Sequence, residues 1–77
     1  MNYNQAVSKA LQVHRILENM SYSQLAEKSG VNIQTIYRMF GAKRDIKIEP
    51  LSKIAQAMQV PMARIIEDAE KIMEAQQ

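Results

Sequence analysis

The sequence predicts an all-α domain of five helices, and three observations carry that expectation. Apolar residues recur at three- and four-residue intervals along nearly the whole chain, the spacing of one helix face. Start and stop signals (Ser21, Gly30, Asn32, Pro50, Pro61) divide that pattern into five segments. Seventy-seven residues leave room for one small core and no second one, so the whole of residues 1–77 reads as one domain.

The first helix is expected from about residue 4 to residue 19, with Asn2 or Asn4 as its cap. Val7, Ala10, Leu11, His14 and Leu17 share one stripe, broadened by Val13, Ile16 and Met20. The second begins at Ser21. Gln24 stands three residues on, so the pair makes a capping box with Met20 as the staple before it. Leu25 and Ala26 face inward, and Gly30 ends the helix in a backbone conformation costly for other residues. Asn32 caps a third helix over residues 33–40. Ile36, Met39 and Phe40 form its inner side, while Ile33, Gln34, Tyr37 and Arg38 lie largely outside. Residues 41–45 are a loop. Pro50 suits the first turn of a fourth helix, which carries Leu51, Ile54, Ala55 and Met58. Pro61 stops that helix and opens a fifth over residues 61–76, with Met62, Ile65, Ile66, Ala69, Ile72 and Met73.

Two short helices over a tight turn, as residues 21–39 predict, make a helix-turn-helix. That unit usually meets the DNA major groove. Charge is distributed to match. Residues 1–66 carry nine Lys/Arg against four Asp/Glu, a net +5, and residues 67–77 carry Lys71 against Glu67, Asp68, Glu70 and Glu74, a net −3. A positive body suits a polyanion, and the acidic end suits a different role.

At these residues the chain resembles the lambda-repressor-like helix-turn-helix family, the Cro/C1 type of phage repressors and bacterial regulators. The run Leu25-Ala26-Glu27-Lys28-Ser29-Gly30-Val31 matches the family's second helix and turn. Leu51-x-x-Ile54-Ala55-x-Ala57-Met58-x-Val60 matches its fourth helix, so the likeness spans about residues 7–66. It implies a five-helix lambda-repressor-like domain whose second and third helices read DNA. Ala26, Gly30 and Ile36 take the motif's scaffold positions: a small residue at the helix crossing, the turn glycine, and the inward branched residue. Three departures stand out. Tyr22 replaces a frequent phosphate-binding glutamine, whose role its hydroxyl could take only with a different reach. Phe40 replaces a buried glutamate, so Arg15 has no carboxylate and instead covers an aromatic face or points to solvent. Gly41-Ala42 stands where Asn-Gly is usual, so the loop through Lys47 is expected to follow another path.

Motif position assigns base contacts to Ile33, Gln34, Thr35, Tyr37 and Arg38. Gln34 suits adenine N6 and N7, and Ile33 a thymine methyl. Thr35 suits a methyl or a phosphate, Arg38 a guanine or a phosphate, and Tyr37 the sugar-phosphate edge. Phosphate contacts fall to Tyr22, Ser23, Lys43, Arg44 and Lys47. Any solvated helix face or basic loop carries similar residues; the motif around these ones gives them their weight.

Other functions find no support. There is no cysteine, and His14 has no second histidine with which to share a metal; it reads as a satisfied residue at the core edge. The carboxylates are scattered or gathered on one solvated helical face, and no glycine-rich phosphate loop is present. The expectation is no enzyme, no cofactor and no metal. No stretch approaches the ~20 apolar residues of a membrane span, so a cytoplasmic, nucleoid-associated protein is expected, with no membrane partner.

A domain this small buries only about 60% of the surface its unfolded chain exposes, and a partner would add burial. The fifth helix extends an apolar stripe at Ile65, Ala69, Ile72 and Met73, the expected homodimer interface. A symmetric pair predicts a palindromic site. The functional expectation is therefore a double-stranded-DNA-binding regulator, most simply a repressor acting as a homodimer. Two alternatives stay open: an antitoxin that binds its own promoter while the fifth helix holds a second protein, and a protein-interaction module that no longer binds DNA.

Overall fold

A computed structural model describes residues 1–76. They form α1 (Tyr3–Leu17), α2 (Tyr22–Ser29), α3 (Ile33–Phe40), α4 (Ile48–Ala57) and α5 (Met62–Ala75), with no strand among the described residues.

The helix starts follow the sequence signals. Asn2, not Asn4, caps α1: its Oδ1 accepts from Gln5 N–H at 2.9 Å, and Gln5 Oε1 accepts from Asn2 N–H at 3.0 Å. Ser21 and Gln24 make the same reciprocal pair at 3.1 and 2.8 Å. Each box satisfies two donors that a helix start leaves open.

Three helix ends share one device. After α1, Asn19 turns left-handed (φ 54°), Met20 N–H donates to Arg15 O and Asn19 N–H to Ile16 O. Ala42 (φ 52°) after α3 and Gln59 (φ 59°) after α4 repeat that double bond. This is the Schellman motif, normally built on glycine. It ends α1 at Leu17, earlier than the apolar pattern alone suggests.

Leu11, Leu25, Ile36, Ile54, Met58 and Ile65 are the largest fully enclosed side chains, drawn from all five helices. Burying each contributes ~1.5–3 kcal/mol. α5 lies along α1, where Ala6, Ala10 and Ala69 are all but inaccessible; their short side chains let the two backbones approach.

That packing corrects the expected dimer interface. Ile65 and Ala69 are both 0% exposed, enclosed within the subunit by α1. Periodicity identified the apolar face of the last helix correctly, but that face covers its own core. Ile72 and Met73 remain half-buried at its edge. At the end of α1, by contrast, Val13, Ile16 and Leu17 are 51%, 62% and 70% exposed; Ile48, at the start of α4, is also open at 69%. Leu17 was expected inside; the last turn of α1 carries it past the core.

His14 Nε2 donates to Asp68 Oδ2 at 2.6 Å, pinning α1 to α5, and Arg64 Nε reaches Asp68 Oδ1 at 3.3 Å. The hydrogen bond from His14 holds the Asp68 carboxyl below its ordinary range against the opposing effect of burial, with Arg64 adding to the lowering. The expectation of a satisfied core-edge histidine agrees with this pairing.

Candidate nucleic-acid interface

The turn between α2 and α3 is set by three residues. Gly30 adopts φ 74° and its N–H closes on Ala26 O at 3.0 Å. Ser29 Oγ donates to Leu25 O at 2.5 Å and accepts from Val31 N–H at 3.1 Å, bracketing the glycine. Asn32 Oδ1 then accepts from Gln34 N–H at 2.8 Å and starts α3. Ile36, Met39 and Phe40 bury the inner face of α3. Its far end is tied to α1, where the buried Ser8 Oγ donates to Phe40 O at 2.6 Å.

With that face fixed, Gln34, Tyr37 and Arg38 stand exposed, and Ile33 and Thr35 are half-buried beside them. No carboxylate among the described residues pairs with Arg38, Lys43, Arg44 or Lys47. Thr35 and Arg38 from α3, Arg44, Asp45 and Lys47 from the following loop, and Pro50 from α4 surround an open depression of about 460 Å³. The fold thus gathers four of the expected contact residues around one hollow. Unpaired guanidinium and ammonium groups at the rim of a hollow attract phosphate oxygens. Lys43 lies apart, its methylenes folded beside Gly41. Gln34 and Ile33 belong to the exposed start of α3, and Ser23 to the exposed first turn of α2.

Tyr22 is more enclosed than its sequence position suggested. Its ring meets Tyr37 at 5.4 Å and Phe40 at 5.3 Å, both edge to face. The Arg15 guanidinium carbon lies 4.5 Å from the ring centre. Of the two courses open to Arg15, the structure shows the aromatic one. The Tyr22 hydroxyl accepts from Gln12 Nε2 at 3.0 Å, and Gln12 Oε1 accepts from Arg15 Nε at 2.7 Å. A phosphate at Tyr22 therefore competes with an internal partner.

Sequence reasoning missed the part played by α1. Asn4, Ser8 and Gln12, spaced by four residues, each grip a different part of the interface: the loop after α3, the end of α3, and α2. The signal was present as a polar stripe at helical spacing, but a polar stripe on a helix ordinarily faces water.

Comparison with known proteins agrees with this fold. Two crystal structures of the clp gene regulator ClgR from Corynebacterium glutamicum share the fold. One is 20% identical with a TM-score of 0.87, the match covering 95% of each chain. The other is 21% identical with a TM-score of 0.91, covering 99% of this chain and 81% of that one. Among curated proteins none matches the chain. The helix-turn-helix family model matches residues 11–65, which take in the helix pair, its turn and the basic loop. The chain belongs to the helix-turn-helix family, of the Cro/C1 type.

Proposed function

We propose that this protein is a sequence-specific double-stranded-DNA-binding transcriptional regulator, a repressor acting as a homodimer on a palindromic operator. The observation that carries the reading is the exposed outer face of α3 beside a hollow rimmed by unpaired Arg38, Arg44 and Lys47. The ClgR structures, described as those of a gene regulator, lend the role further support.

In this reading α3 enters the major groove. Gln34 reads an adenine edge and Ile33 packs on a thymine methyl. Arg38 shares its hollow with two loop cations, which favours a backbone phosphate over a guanine. Occupying an operator excludes other proteins from it, which is the simplest form of repression. The solvent-exposed Val13, Ile16 and Leu17, with Ile72 and Met73, supply apolar surface for a second copy. A symmetric pair sets two α3 helices about 34 Å apart on successive major grooves.

Selection of binding sites from random duplexes, followed by sequencing, tests the reading. Two inverted half-sites are the expected outcome. Absence of any enriched sequence overturns it, and a single unrepeated half-site removes the homodimer.

A further inference from the structure

The geometry points to Asn4 as a positioning residue of the DNA interface, one that keeps the Asp45 carboxylate away from the cations beside it. This rests on the DNA-binding reading above and extends it to a residue that touches no nucleic acid.

Asn4 does not cap α1, because Asn2 fills that role. Its side chain instead crosses to the loop after α3. Ile46 N–H donates to Asn4 Oδ1 at 2.9 Å, and Asn4 Nδ2 donates to Asp45 Oδ1 at 2.9 Å. The two ends of the carboxamide are assigned by chemistry. A backbone N–H can only donate, so the oxygen faces Ile46, and the amide nitrogen then meets the carboxylate. One side chain satisfies a backbone donor and an acidic acceptor on adjacent residues.

Asp45 is the hazard in that loop. It follows Arg44, precedes Lys47 by two residues, and lines the same hollow as both of them and Arg38. A carboxylate there shares the hollow with three cations, and any pair it made would neutralise one that a phosphate needs. In the structure it pairs with none of them. A neutral amide is suited to this task because it binds the carboxylate without adding charge. The same amide fixes Ile46 and hence the course of the backbone that carries Arg44 and Lys47.

The salt dependence of DNA binding reads this directly, since its slope counts the phosphates neutralised. The full chain is titrated by fluorescence anisotropy with its selected duplex across a salt series. Asn4→Ala, a favourable helix substitution, is expected to lower the slope by about one phosphate equivalent. Adding Asp45→Asn to it is expected to restore the slope, with base preference unchanged throughout. An unchanged slope in Asn4→Ala, or no recovery in the double variant, overturns the assignment. Asp45→Asn alone tests the same point without touching Asn4. It should leave the slope as in the unaltered chain, and a rise of about one would show that Asp45 already engages a cation. Failure of the unaltered chain to prefer any duplex would instead defeat the DNA-binding reading itself.

Discussion

Arg15 stacks its guanidinium over the Tyr22 ring at 4.5 Å, and Tyr22 in turn sets its edge contacts against Phe40 and Tyr37. Where the lambda-repressor-like pattern joins α1 to the end of the reading helix by an arginine–glutamate pair, this chain uses cation, ring and ring. Tyr37 lies on the outer face of α3, so the stack reaches from α1 to the exposed side of α3. Tyr22→Ala is expected to destabilise the protein by about 2–3 kcal/mol, from lost burial and two aromatic pairs. Tyr22→Phe keeps the ring and should cost no more than ~1 kcal/mol. Urea denaturation of the two variants separates these outcomes.

Glycine sits one residue early at the end of α3. Gly41 is right-handed (φ −92°), while Ala42 takes φ 52°, a conformation glycine adopts at no steric cost. Ala42→Gly is expected to stabilise the fold by about 1 kcal/mol. Gly30→Ala should do the opposite by a similar amount, through backbone strain alone, since no neighbour lies within 4 Å of the added carbon. Thermal melts of both variants give the signs.

Acid should loosen the joint between α1 and α5. Asp68 has a lowered pKa in the folded state, so its contribution is present in full above the ordinary carboxylate value. It is lost as pH falls through the lowered one. Asp68→Asn is expected to remove that acid-side loss and to cost about 1 kcal/mol at neutral pH. Stability measured from pH 7 down to pH 2 checks both effects.

Base reading and phosphate binding should part cleanly. Gln34→Ala is expected to cost about 1–3 kcal/mol on the selected duplex and to relax preference at one base pair per half-site. Lys47→Ala should weaken all duplexes alike and lower the salt slope by about one. A Gln34 variant with unaltered base preference would remove that residue from the readout.

The exposed end of α1 offers a test of self-association. Ile16→Glu and Leu17→Glu alter side chains already open to water, so stability should shift by less than ~0.5 kcal/mol. If this surface joins two copies, sedimentation should show the paired species lost. A monomer in the unaltered chain at micromolar concentration would leave the surface to a different protein.

Local chemistry made most of the fold legible in advance. The Ser21–Gln24 box, Gly30, Asn32 and Pro50 each specify their own backbone, and each stands where that chemistry places it. The inward faces of α3 and α4 also followed from spacing. What periodicity could not provide was the identity of the covering element. The apolar faces of α1 and α5 look alike in sequence, yet Ile65 and Ala69 are enclosed while Ile16 and Leu17 are open. Helix-to-helix packing decides between them. The clustering of Arg38 with Arg44 and Lys47 was equally hidden, because it depends on how the loop returns from α3 to α4. Asn4 was visible only as a second candidate cap, one asparagine more than the helix start required.

The three side chains on α1 that hold the loop, α3 and α2 sit on a single rigid rod, one helical turn apart. That rod works as a ruler against which the loop, α3 and α2 are aligned. Adding one residue between Ser8 and Gln12 would swing everything beyond it by about 100°. Asn4 and Ser8 would then keep their partners while Gln12 and Arg15 turned away from Tyr22. Spacing along α1 therefore limits what lengths this chain can take, even where individual substitutions are tolerated.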